Sequence, residues 1–155
     1  MTDQEKKFDC TFVIFGEPAS KANSRRLVTF GGRPAMIKSA KANSYVIDFV
    51  LQCREQAIKA GIVPTTKDVK VELMIHYATR RPDLDESVIL DAMQGIVYAN
   101  DRQVKQRMAY WGLDRGLPRT VIRVSECDIH DVPIYLMDDQ YLASRAGALV
   151  PSSKN

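Results

Sequence analysis

The alternation of apolar and polar positions changes its period several times along this chain, and each change marks an element. Residues 10–15 (CTFVIF) form a short apolar run closed by Gly16 and Pro18, which predicts a strand ending in a polar loop that runs through Ser24. Residues 27–30 and 33–37 flank Gly31-Gly32, a pair free to take the positive φ of a tight turn, so a β-hairpin is predicted there. From about Asn43 to Ala60 the side chains Val46, Phe49, Val50, Cys53 and Ala57 recur at helical spacing, and Gly61 stands where a helix-terminating glycine belongs. Val69, Val71, Leu73, Ile75 and Tyr77 then alternate with Lys70, Glu72, Met74 and His76, the period of a strand with one buried face. A second helix is predicted over about 87–93, closed by Gly95, followed by a turn through Ala99, Asn100 and Asp101, a strand near 104–111 and another over 120–125.

This order of elements predicts a small single α+β domain with a mixed β-sheet packed by helices. The domain is expected to occupy residues 1–125, with 126–155 as a C-terminal extension. The extension carries one apolar patch (132–137) and a tail of small and polar residues from Ala143, expected to be partly flexible.

At 155 residues, 45% hydrophobic and 26% charged, the composition is that of an ordinary globular protein and excludes fibrous, repeat and disordered classes. The net charge of +3 is too small to call for a polyanionic partner, but its distribution is uneven. No acidic residue occurs from Pro18 to Ile47, while Lys21, Arg25, Arg26, Arg33, Lys38 and Lys41 all fall there. Arg80, Arg81, Arg102, Lys105 and Arg107 bracket an acidic segment. Such clusters suit a phosphate-contacting face, and equally a solvated one. The three cysteines, Cys10, Cys53 and Cys127, are odd in number and widely spaced, which fits reduced thiols in a cytoplasmic protein. No apolar stretch approaches the ~18 residues needed to cross a bilayer, and the first ten residues lack a signal-peptide core, so no membrane partner is expected. Two histidines and no close cysteine pair leave no ligand set for structural zinc.

The sharpest chemistry lies in RRPDLDESVILDAMQGIVYANDRQV, residues 80–104, which concentrates Asp83, Asp85, Glu86, Asp91 and Asp101. In extended backbone Asp83 and Asp85 would project from one side, about 7 Å apart at ~3.3 Å per residue, with Leu84 turned into the core. Asp101, returned by the intervening helix and turn, supplies a third carboxylate from a separate element. Acids this close repel each other and a hard divalent ion relieves the repulsion, so an oxygen-ligand magnesium site is one reading. A bound ion would activate water for in-line attack on a phosphodiester. The other reading is helix capping by Asp85 or Ser87, with Glu86 in the first turn and Asp91 on a solvated face.

These residues resemble the RusA family of Holliday junction resolvases, whose members carry D-x-D-N-x-x-K, then D-A-L, then D-D-x-Q-V. Here Asp83-Leu84-Asp85, Asp91-Ala92-Met93 and Asn100-Asp101-Arg102-Gln103-Val104 stand for the three segments, and the resemblance also takes in Gly16 to Lys21, the basic hairpin and the first helix. It implies a metal-dependent endodeoxyribonuclease that cuts branched DNA such as four-way junctions, in DNA recombination and repair. It further implies a homodimer, whose two sites would match the pseudo-twofold junction. By the same resemblance Asp83, Asp85 and Asp101 are the catalytic carboxylates binding Mg2+, with Mn2+ as a substitute, and Asp91 is a supporting acid. Lys21, Arg25, Arg26, Arg33, Lys38, Arg81 and Arg102 are expected to contact DNA. The chain departs from the pattern at Glu86 and Asn100, and a shortening by two residues before Asp91 removes the motif lysine, leaving Val88 or Ile89 in its place. Lys21, Arg81 or Arg102 are candidates to replace that cation. The departure motivates the alternative function, a branched-DNA binding protein weakened in catalysis. Trp111 and Tyr110 fit core or dimer-interface packing, or stacking on an unpaired base. His76 fits a solvated strand position or a general base, and Phe30 a wedge at a hairpin tip.

Overall fold

The computed structural model describes residues 4–19 and 25–137. Six strands and two helices follow one another as β1 (Asp9–Phe15), β2 (Arg25–Phe30), β3 (Arg33–Lys38), α1 (Ala40–Ala60), β4 (Val69–Tyr77), α2 (Ser87–Ala92), β5 (Val104–Leu113) and β6 (Arg119–Glu126). Four strands make a mixed sheet in the order β1-β6-β4-β5, and β2 with β3 make a separate hairpin. β6 runs antiparallel to both β1 and β4, whereas β4 and β5 are parallel and joined through α2. The result is the α+β single domain predicted from the chain's periodicity.

The core lies between one face of this sheet and the two helices. β4 supplies it with Val69, Val71, Leu73, Ile75 and Tyr77, all buried at the predicted period of two. α1 answers with Ala42, Tyr45, Phe49, Cys53 and Ala57, spaced three or four residues apart as one stripe of a helix must be. The helix begins three residues earlier than its apolar spacing indicates, because Ser39 caps it by accepting a hydrogen bond from the Ala42 amide. It ends at Gly61, whose φ of 67° is the left-handed conformation that glycine adopts without cost. Cys10 and Cys53 are buried and Cys127 is half-buried, all three as free thiols.

One contact pattern ties α1 to the sheet edge. β1 is an edge strand, so alternate backbone groups have no strand partner. Gln52 and Gln56 supply it: the Gln56 side chain accepts from the Val13 amide at 3.0 Å and donates to the Val13 carbonyl at 2.8 Å. Gln52 repeats the arrangement at Phe15, at 2.8 and 2.9 Å. Four residues of helix rise about 6 Å and two of strand about 6.6 Å, so the two repeats coincide.

Candidate active site

The acidic segment is not a continuation of β4. That strand stops at Tyr77 and α2 starts at Ser87, and the nine residues between them form a loop hung from aromatic side chains. The Tyr77 hydroxyl donates to the Asp83 carbonyl at 3.2 Å and accepts from the Asp85 amide at 3.4 Å. Trp111 of β5, stacked on Tyr77 with ring centroids 5.8 Å apart, donates its indole N–H to the Pro82 carbonyl at 3.0 Å. Tyr77 and Trp111 therefore occupy the space an inward Leu84 would need. Leu84 is 37% exposed, which corrects the expectation that it points into the core. The period-two reading failed there because backbone hydrogen bonds to side chains, not strand pairing, set the loop's course.

Each acid has its own support. The Asp85 carboxylate accepts from the Ser87 amide at 3.1 Å and from the Ser87 hydroxyl at 2.7 Å, which fixes it at the start of α2; the N-cap itself is Glu86, without a side-chain cap bond, which corrects the expectation that Asp85 or Ser87 is the cap. Glu86 lies 3.3 Å from the guanidinium of Arg107 on β5. Asp101 opens a short 3-10 turn (Asp101–Gln103) fixed by a capping box in which Asn100 accepts from the Arg102 amide and Gln103 accepts from the Asn100 amide. Gln103 also donates to the carbonyls of Thr65 and Lys67, at 2.8 and 2.7 Å, anchoring the turn to the loop before β4. Asn100, where the motif has an acid, is thus used as a cap.

Two adjoining cavities carry the acids. One, of about 320 Å³, is lined by Asp85, Ser87, Val88 and Asp91 together with Arg25, Lys38 and Tyr45. The second, also about 320 Å³, is lined by Ser87, Asp91, Asp101, Lys105 and Arg107. Ser87 and Asp91 belong to both, so Asp91 stands between Asp85 and Asp101. Asp83 is exposed and lines neither cavity. Among the described residues, no group of three or more His, Cys, Asp or Glu side chains is placed to hold one ion by itself. The donor set is nonetheless all oxygen, and magnesium is ordinarily held by one or two carboxylates, with waters and substrate phosphate completing its shell.

The buried hydroxyls beneath the acids report the local field. Tyr98, fully buried, has its hydroxyl pushed above the usual phenol range by burial, then by the charges of Asp101 and Asp91. It remains a donor, to the Leu90 carbonyl at 2.6 Å. Tyr77 is raised in the same way, by burial first and then by Asp85, Glu17 and Glu86, partly offset by its bond to the Asp85 backbone. Glu17 is an acid that the sequence reading passed over; only its place beside the basic loop marked it. Tyr45 is raised by burial, partly offset by the neighbouring Thr120 hydroxyl.

Residues 16–125 match the sequence model of the family described as Endodeoxyribonuclease RusA. This chain belongs to the RusA endodeoxyribonuclease family. No curated protein matches it. The match contains the hairpin, both helices and every acid of the two cavities, with Asp85 and Asp91 lining one cavity and Asp91 and Asp101 the other.

The basic residues divide. Arg25 and Lys38 reach the first cavity, and Lys105 and Arg107 the second. Arg26 and Arg33 are exposed along the hairpin, and Arg81 and Arg102 are exposed near the acids without lining either cavity. Lys21 lies outside the described residues, as does the tail from residue 138. The sequence reading named Arg107 and Lys105 only as flanking charge. Trp111 is half-buried against the core and holds the acidic loop, in keeping with its packing reading. No helix is long and apolar enough to cross a membrane among the described residues.

Proposed function

We propose that this RusA-family endonuclease resolves Holliday junctions and related branched DNA by paired, metal-dependent cleavage, in DNA recombination and repair. The reading is carried by one observation: acids from the β4–α2 loop, α2 and the turn before β5 line adjoining cavities, one of which opens against the basic hairpin. The proposed metal is Mg2+, with Mn2+ able to replace it. Asp83, Asp85 and Asp101 are the proposed catalytic carboxylates by correspondence with the family motif, and Asp91, shared by both cavities, joins them. When bound, the divalent ion supplies Lewis-acid activation of water and neutralises charge at the phosphodiester.

The protein's own groups do the rest. Asp85, fixed by Ser87, and Asp101, fixed by its capped turn, present carboxylates from rigid backbone, which lowers the cost of ordering them at the moment of reaction. Arg26, Arg33, Arg81 and Arg102 hold the phosphate backbone on the surrounding surface, with Lys21 a further proposed DNA contact, and recognise the junction by shape rather than sequence. A homodimer sets two such sites on two strands of one junction. In this reading residues 1–125 are the nuclease domain, 126–155 an extension to it, and the protein works in the cytoplasm.

The test is cleavage of labelled four-way, flap and linear duplex DNA with and without magnesium, alongside Asp83→Asn and Asp91→Asn. Symmetric, magnesium-dependent nicks confined to branched DNA, lost in both variants, are the expected result. Tight junction binding without any cutting by the wild-type protein would overturn it.

A further inference from the structure

By the resemblance drawn above, no lysine stands at the motif's position before Asp91, and the lining of the first cavity indicates what replaces it. This step rests on the nuclease reading above. Of the two positions where the lysine would fall, Ile89 is fully buried, whereas Val88 is half-buried and lines the cavity beside Asp85 and Asp91. Two cations line the same cavity. Arg25 and Lys38 are cross-strand partners at the base of the hairpin, which puts them on one face of it. Neither has an ion-pair or hydrogen-bond partner among the described residues. The first turn of α1, which begins two residues after Lys38 and also lines the cavity through Ala42, carries no acid to neutralise them. The other cations are placed differently: Lys105 and Arg107 line the second cavity, away from Val88 and Asp85, with Arg107 engaged by Glu86, and Arg81 and Arg102 line neither cavity.

We infer that Arg25 and Lys38 are catalytic residues, contacting the scissile phosphate in place of the absent α2 lysine. They are distinct in this from the general phosphate anchors of the hairpin. In the hydrolysis the water oxygen bonds to phosphorus, the bond from phosphorus to one nucleoside oxygen breaks, and the water proton ends on that leaving oxygen. Negative charge gathers on the non-bridging oxygens as this occurs. A guanidinium fork can take two of those oxygens at once, and an ammonium adds a compact point charge. The charge that a helix would have delivered comes instead from the hairpin lining the same cavity.

A phosphate anchor and a catalytic cation differ in what their loss changes. Removing an anchor weakens binding of every DNA, whereas removing a group that acts on the transition state slows the bound complex. The experiment compares wild type, Arg25→Ala/Lys38→Ala, and that double variant with Val88→Lys added. Junction affinity is measured with calcium, single-turnover cleavage with magnesium at saturating protein, and manganese affinity without DNA. The double variant is expected to cleave at least ~100-fold more slowly while its junction affinity falls less than ~10-fold. Val88→Lys is expected to recover ~10-fold or more of the rate, which a misfolded protein could not do. Without DNA, the double variant is expected to bind manganese about threefold more tightly, because two positive charges have left the carboxylates' surroundings, and Val88→Lys should reverse this. Cleavage and binding falling in the same proportion, or an unchanged rate, would overturn the inference. Absence of cleavage by wild type would sink the nuclease reading instead, and the manganese shift alone would then decide whether the pair faces the acids.

Discussion

Replacing Tyr77 by phenylalanine isolates the support of the acidic loop from its chemistry. The ring stays, with its stacking on Trp111 and its place in the core, and only the hydroxyl goes. That hydroxyl makes two bonds, at 3.2 Å to the Asp83 carbonyl and 3.4 Å to the Asp85 amide, both toward the long end of the range. A typical hydrogen bond contributes ~0.5–1.5 kcal/mol net, so the two together are worth about 1 kcal/mol, and water reaches the freed loop groups to limit the loss. For a domain of this size that corresponds to a fall in Tm of roughly 2–4 °C. Cleavage should suffer more, because displacement of a catalytic group by about 1 Å costs on the order of 100-fold in rate. Thermal denaturation and single-turnover junction cleavage measure the two effects on the same protein. A small Tm change with cleavage reduced ~10-fold or more is expected. A variant that melts as stated yet cuts at the wild-type rate would refute the claim that this hydroxyl sets the position of the Asp83–Asp85 loop.

Other outcomes follow from the same geometry. Gln56→Ala removes both side-chain bonds to Val13 and leaves an edge-strand amide and carbonyl half-covered by the helix. It should cost ~1–2 kcal/mol, with faster hydrogen exchange at the Val13 amide; unchanged exchange there would contradict the bridging role. Burial pushes the Cys10 thiol up to about 11 and the Cys53 thiol up to about 12, so neither forms much thiolate at pH 8. Native protein should therefore expose only Cys127 to a thiol reagent, and rapid labelling of three thiols without denaturant would disprove the buried placement.

The strands and the long helix were legible because their periods are strong: β4 keeps its alternation for nine residues, and α1 is terminated by a glycine in the conformation expected of it. Tyr45 escaped notice as a core residue because it lies one helical turn before the first apolar pair, beneath a loop whose course no periodicity describes. The acids were legible as a group through their motif, but their arrangement was not. The course of the loop that carries Asp83 and Asp85 depends on Tyr77 and Trp111, which act on backbone carbonyls and amides and leave no pattern in the order of residues. Cation placement was likewise hidden. Arg25 and Lys38 are thirteen positions apart, and only the hairpin register makes them neighbours, lining one cavity with Val88.

Manganese binding tests the proposed centre most directly. Titrated into protein carrying a non-cleavable junction, Mn2+ should occupy one site per chain, and tighter than in the absence of DNA, because the phosphate completes the ion's shell. Asp85→Asn and Asp91→Asn should each weaken that binding by ~10-fold or more. Wild-type affinity in both variants, or binding indifferent to the junction, would contradict an ion held between these carboxylates and DNA.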